Sequence, residues 1–140
     1  GFERSLYATY LSFLDPSDFC YTLNGFQDDR GTFYEVLKTI YSGQFSLSTT
    51  KHGITRGNHY HDSKNEKFLV IKGQATIEHR HILMDEVITY EVSDQEMRIV
   101  EMIPGYTHNI TNTSDNDLVL LIWANEQFDR ENTDTHFLKV

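Results

Sequence analysis

The chain is 140 residues long, with 12 Lys and Arg against 21 Asp and Glu, a formal net charge of −9 and 13 % aromatic residues. That length suits one domain around one core and excludes a catalytic domain beside a separate nucleotide-binding domain. The aromatic content argues against disorder. The acidic balance, with no cluster of Lys and Arg, argues against a nucleic-acid or anionic-membrane surface.

At the start of the chain, Leu6, Tyr10, Leu11 and Leu14 recur at helical spacing between Glu3 and Leu14, and Asp15-Pro16 ends the pattern. One short amphipathic helix is predicted there. Cys20 is the only cysteine, which excludes an internal disulfide and fits a reducing compartment. Its neighbours Phe19 and Tyr21 read as core, so Cys20 is expected as a buried structural thiol and not as a nucleophile. After Gly31 the texture becomes β-rich, over Phe33–Thr39, Gln44–Thr50, Glu66–Lys72, Gln74–Leu83, Val87–Val92, Met97–Met102 and Leu118–Ala124. Turn-forming clusters such as Tyr41-Ser42-Gly43 and Lys72-Gly73-Gln74 separate these runs. Short strands with no helices between them predict an antiparallel sandwich or barrel. The tail from Asn125 to Val140 is polar, with Phe128, Phe137 and Leu138 as anchors onto the barrel or a partner chain. The organisation expected is an N-terminal helix and arm over residues 1–30 and one β-barrel domain over residues 31–140. No long apolar run or leader-like segment occurs, so a soluble, cytoplasmic protein is expected. The chain starts with Gly1 in place of Met, as a processed product or an excised domain would.

The densest chemical signal lies between Gly53 and Gly73. His59 and His61 are two positions apart, so on a strand both imidazoles point to one face. Glu66 opens the next strand after a short loop (Asp62 to Asn65), and Gly73 permits the tight turn that follows. Pro104-Gly105-Tyr106-Thr107 then delivers His108 onto a further strand, with Asn112 beyond. Three imidazoles and one carboxylate suit a divalent transition metal such as Zn, Fe, Mn, Ni or Cu. A bare His-x-His is a cheap pattern, and His79-Arg80-His81 is an internal comparison that has neither an acid at matching spacing nor framing glycines. That second pair reads as an ordinary solvent- or pocket-facing strand.

These two segments resemble the paired motifs of the cupin superfamily, which implies an all-β jelly-roll barrel of the RmlC-like kind with the metal in its mouth. The second motif departs from the usual form, since its proline stands directly before Gly105 and Met97 occupies the place of a leading glycine. Longer stretches are similar to the C-terminal cupin domain of CapF-type capsular-polysaccharide enzymes: Ile54 to His59, Asn65 to Val70, Pro104 to Ile110, Trp123 to Asp129, Leu6 to Leu11, and Asp134-Thr135. The resemblance implies a zinc-holding domain that epimerises C3 of a UDP-linked 4-keto-6-deoxy amino sugar, with iron, manganese and nickel as alternative metals. It also implies an NADPH-dependent reductase domain, fused or separate; no Gly-rich dinucleotide fingerprint occurs here, so this chain is expected to carry only the epimerising half.

Epimerisation next to a ketone needs removal of a weakly acidic C–H proton and its return from the other face, and a metal held by His59, His61, Glu66 and His108 would polarise the C4 carbonyl and stabilise the enediolate. It also needs a general base. Lys64, in the loop between ligands, and Tyr106, just before His108, are the candidates; a solvated loop lysine and a barrel-rim aromatic are the bland alternatives. Arg56 and Arg80, with Lys51 and Lys64, offer a basic patch for a diphosphate. Trp123 offers a stacking face for uracil or sugar, unless it is a core or interface tryptophan. Gln44, Ser46 and Ser48 alternate with Phe45, Leu47 and Thr49, which makes one face of that strand polar, as at a barrel's ligand-binding interior. Two other readings compete: a metal-dependent oxygenase on the same ligands, and a non-catalytic, metal-stabilised sugar-binding or dimerisation module. A homodimer is expected under each, given strand edges and the aromatic N-terminal segment.

Overall fold

In the computed structural model, which describes residues 1–140, side-chain alternation along each strand decides what faces the interior. A helix α1 (Phe2–Ser12) and a 3-10 turn (Pro16–Phe19) precede eleven strands. These are β1 (Gly25–Asp28), β2 (Gly31–Lys38), β3 (Gln44–Thr50), β4 (Thr55–Tyr60), β5 (Glu66–Lys72), β6 (Gln74–His81), β7 (Val87–Ser93), β8 (Ile99–Met102), β9 (Tyr106–Asn112), β10 (Leu118–Ala124) and β11 (His136–Phe137). One sheet runs β1-β2-β3-β10-β5-β8 and the other β11-β4-β9-β6-β7, with every pairing antiparallel. The two sheets face each other as a jelly-roll barrel, the all-β fold expected.

The core occupies one end of the barrel. Phe68 and Val70 of β5, Ala75 and Ile77 of β6, Ile110 of β9, and Leu118 and Leu120 of β10 form its centre with Val92, Val100 and Met102. The same inward rows turn polar toward the other end. β5 continues from Val70 and Phe68 to Glu66, β6 from Ala75 and Ile77 to His79, and β9 from Ile110 to His108. An apolar plug thus closes one end, and titratable groups line the other. On β3 the buried positions are Gln44, Ser46, Ser48 and Thr50, the polar inner face that its alternation predicts.

Several elements differ from expectation. The helix ends at Ser12, and Asp15 instead caps the 3-10 turn by accepting the Ser17 amide at 2.9 Å. No side chain of α1 is buried, because nothing else in the chain packs on it; Phe2 and Phe13 are both more than four-fifths exposed. Cys20 is exposed with its neighbours Phe19 and Tyr21, since their segment lies off the barrel, and the expected buried thiol is corrected accordingly. The paired sheet begins at Gly25, inside the span read as an arm, because β1 gains its hydrogen bonds from a tight hairpin with β2. No helix is long and apolar enough to cross a membrane.

Candidate metal centre and its cleft

His59, His108 and His79 stand side by side on β4, β9 and β6, with His59 and His79 each the Cα partner of His108. A β-bulge on β4 sets that row. Gly57 has φ +106° and Asn58 φ +59°, and the register shifts between Gly57 and His59. A Cβ at Gly57 would lie 2.7 Å from the His108 carbonyl oxygen, so the approach of β4 to β9 requires glycine. His61 follows β4, and Glu66 opens β5 across the intervening loop. One donor atom from each of His59, His61, Glu66 and His108 falls within 4.8 Å of all the others.

Hydrogen bonds orient two of the imidazoles. His61 Nδ1 donates to the Asp134 carbonyl, and His108 Nδ1 to the Tyr106 carbonyl at 3.4 Å. His108 Nε2 is thereby a lone-pair atom, 3.7 Å from Glu66 Oε2, while His61 Nε2 lies within hydrogen-bond distance of the same oxygen at 3.2 Å. His108 Nε2 is buried and has no hydrogen-bond partner. Burial, with His59 beside it, drives His108 down to about 3, and burial also drives His59 down to about 4. Burial opposes ionisation of Glu66, yet the His61 hydrogen bond, with Lys64 and His108 nearby, holds it below its ordinary range. The neutral imidazoles of His59 and His108, the ring of His61, an ionised carboxylate and an orphaned ring nitrogen form a donor set that fits a divalent cation.

The tail strand supports this cluster. Asp134 carboxylate oxygens accept the amides of Asp62 (2.7 Å), Ser63 (2.8 Å) and Lys64 (2.8 Å), fixing the loop between His61 and Glu66. Thr135 Oγ1 accepts from Lys64 Nζ at 3.4 Å. In the sequence, only the resemblance at Asp134-Thr135 hints at this support, because its partners lie about seventy positions away.

A cleft of about 550 Å³ meets the cluster at Glu66, and Lys64, Gln44 and Arg56 also line it. Three other predicted residues lie elsewhere. Tyr106 faces a separate cavity of about 340 Å³ with His79 and Tyr90. Arg80 projects from the outer face of β6 and donates to the Met84 and Lys139 carbonyls, at 2.9 and 2.6 Å. Trp123 alternates with inward Ile122 and Ala124, so it lies on the outer sheet surface beside Phe45 and donates to the Ser42 carbonyl at 3.0 Å. Gln44 lines the cleft but is engaged, donating to Ser46 Oγ and accepting the Phe128 amide. Phe26, Arg30 and Arg130, which the sequence reading passed over, line the cleft too, together with Phe128, expected there only as a tail anchor.

The model of the family described as the polysaccharide biosynthesis C-terminal domain matches residues 26–136. The chain belongs to this family. It is 51 % identical over all 140 residues to a UDP-2-acetamido-2,6-beta-L-arabino-hexul-4-ose reductase of Pseudomonas aeruginosa, covering 38 % of that protein. The capsular polysaccharide assembling protein CapF of Staphylococcus aureus superimposes with a TM-score of 0.94 at 50 % identity, over 99 % of this chain and 40 % of that one. The family domain therefore spans about two fifths of these relatives. A single-substitution variant of the oxalate decarboxylase of Bacillus subtilis, at TM-score 0.67 and 18 % identity over 83 % of this chain and 30 % of that one, shares the fold alone. The fold is that of a cupin, and the relatives belong to sugar-nucleotide and polysaccharide biosynthesis.

Proposed function

We propose that this domain is a metal-dependent C3 epimerase acting on a UDP-linked 4-keto-6-deoxy amino sugar, with zinc held by His59, His61, Glu66 and His108. The observation that carries this reading is that the four-residue cluster meets the cleft at Glu66: His59, Glu66 and His108 line a cavity of about 280 Å³ that shares Glu66, Arg30 and Arg56 with the cleft of about 550 Å³ lined by the buried Lys64, space enough for a sugar nucleotide. The relationship to proteins of sugar-nucleotide metabolism narrows the substrate class. A bound divalent cation would polarise the C4 carbonyl and acidify the neighbouring C3–H. Lys64 is the group placed to take the C3 proton, and water in the open cleft returns one to the opposite face. Thr135 and the Asp134-anchored loop hold Lys64 at the cluster. Tyr106 stands outside this cleft, which favours Lys64 of the two candidate bases.

The reading extends to the surroundings. An NADPH-dependent reductase, fused or separate, would consume the product, as the longer relatives suggest. The exposed aromatics of α1 suit a homodimer, and the exposed Cys20 thiol suits a reducing cytoplasm.

The test is proton exchange in D₂O followed by NMR, using the zinc-loaded protein and the UDP-linked 4-keto sugar. Deuterium should enter at C3, and His108→Ala and Lys64→Gln should each abolish its entry. Exchange that survives in Lys64→Gln removes Lys64 from the mechanism. Absence of exchange in protein shown to hold zinc overturns the epimerase reading.

A further inference from the structure

The metal-binding floor uses only the deep end of the cleft. A smaller cavity of about 280 Å³, lined by His59, Glu66 and His108, also contains Arg30 and Arg56. The larger cavity shares Arg30, Arg56 and Glu66 with it and continues outward to Phe26, Phe128 and Arg130. Two guanidiniums therefore stand at the junction between the metal floor and an aromatic outer wall.

The junction is built to hold an anion. Arg56 is half-buried and fixed, with Nε donating to Thr50 Oγ1 at 2.9 Å and Nη2 to the Thr49 carbonyl at 3.0 Å. Its Nη1 makes no hydrogen bond within the chain, and no carboxylate pairs with it. Arg30 is paired with Asp28, through Nε at 2.9 Å and Nη2 at 2.6 Å. Asp28 also acts on Arg56, so the two guanidiniums and one carboxylate together keep one net positive charge, with Arg56 positioned, in a chain of net charge −9. Of the other wall carboxylates, Glu35 is paired with Lys38 at 3.4 Å, while Glu126 has no cation partner.

The outer wall has a different chemistry. The Phe26 ring is 56 % exposed, on the edge strand β1, and the Arg130 guanidinium lies over it at 4.9 Å from the centroid. Arg130 has no carboxylate partner either. Phe128, opposite, is kept in place by the hydrogen bond from its amide to Gln44 Oε1 at 2.9 Å. An exposed ring and a planar cation on the wall of a cleft are a stacking surface for a flat heterocycle.

We infer that the outer cleft is the nucleoside diphosphate subsite, with Phe26 and Arg130 as the platform for the base and Arg56, assisted by Arg30, as the diphosphate clamp. The order from floor to rim, metal ligands then guanidiniums then aromatic ring, matches a sugar nucleotide read from sugar through diphosphate to base. This assignment rests on the sugar-nucleotide reading of the site. It moves the two roles away from Trp123 and Arg80, whose side chains are on outer surfaces.

The test uses titration calorimetry of the zinc-loaded protein with UDP and with methyl diphosphate, which lacks the base. Phe26→Ala should weaken UDP at least about fivefold and leave methyl diphosphate unchanged, since a stacked base contributes that much or more. Arg56→Gln should weaken both ligands about tenfold or more. Arg130→Gln repeats the base test without touching the ring, and unfolding midpoints of all three variants establish that they fold. Equal affinity of the unaltered protein for UDP and methyl diphosphate, or UDP affinity unchanged in both Phe26→Ala and Arg130→Gln, overturns the platform. UDP bound in this pattern with no C3 exchange supports the subsite and refutes the epimerase reading. C3 exchange with KM unchanged in Phe26→Ala refutes the subsite and leaves the epimerase reading standing.

Discussion

Asp134→Ala tests the idea that the C-terminal tail holds the ligand loop in place. The carboxylate accepts three consecutive amides, from Asp62, Ser63 and Lys64, at 2.7, 2.8 and 2.8 Å, together with the Ser63 hydroxyl at 3.1 Å. Two of those amides belong to exposed residues, where water replaces the carboxylate at a loss of about 0.5–1 kcal/mol each. The third belongs to the buried Lys64, and an unpartnered amide there costs about 1–3 kcal/mol. The expected destabilisation of the metal-free protein is therefore about 2–5 kcal/mol, measured by urea unfolding followed through Trp123 fluorescence. Zinc affinity, from competition with a chelator, should fall about 10–100-fold, because the same segment carries the carbonyl that orients His61. Acid provides a control with a defined sign. Burial disfavours the charged form of Asp134, but the amides and hydroxyl outweigh it and hold the carboxyl well below the usual carboxylate range. Its contribution is thus complete above the unfolded value of about 4 and is lost as pH falls below that value. The gap between the unaltered protein and the variant should narrow in acid. Unfolding within about 0.5 kcal/mol of the unaltered protein at neutral pH, combined with unchanged zinc affinity, would refute the reasoning.

His108→Leu should reverse its effect with metal. Leucine removes a buried ring nitrogen that has no partner, so the metal-free variant should be at least as stable as the unaltered protein, while zinc-dependent stabilisation disappears; thermal melts with and without chelator read both. Gly57→Ala should cost about 1–3 kcal/mol through the positive φ and the 2.7 Å approach to the His108 carbonyl, and should also weaken zinc binding; unchanged affinity would show that the bulge does not position His59. Ile77→Ala, at a side chain 1 % exposed in the core, should cost about 2–5 kcal/mol in urea unfolding.

The clustering of His59, His61, Glu66 and His108 was legible because each of them carries a local signal. His59 and His61 share a strand-spaced pair, Glu66 heads an apolar run, and Gly105 marks the turn before His108. Gln44–Thr50, Glu66–Lys72 and Leu118–Ala124 coincide with β3, β5 and β10 for the same reason, since period-two alternation or an apolar run reports burial directly. The cleft wall was less legible. Arg30 sits in a two-residue hairpin loop whose strand β1 is only four residues long, and Phe128 and Arg130 lie in a tail with no periodicity. Their place over the cleft depends on long-range contacts, such as the Phe128 amide on Gln44 and the Arg130 guanidinium on Phe26. Trp123 and Arg80 were misplaced for the opposite reason. Each is adjacent in sequence to an inward residue, Ala124 or His79, and a single step along a strand turns a side chain to the other face.

That one-step rule also explains why metal site and core are a single construction. On β9, His108 and Ile110 share a face, as do His79 and Ile77 on β6 and Glu66 and Phe68 on β5. A slip of β9 by one residue would turn His108 outward and also expose Ile110, replacing them inside with Thr107, Asn109 and Thr111. The apolar end therefore keys the register that aims the ligands, and a wrong register carries the cost of the core as well as of the site. The ligand row in turn leaves neutral imidazoles and an orphaned nitrogen beside Phe68, a cost that only a bound cation offsets. Core burial thus selects one register, and within that register the polar end of the barrel is arranged for a metal.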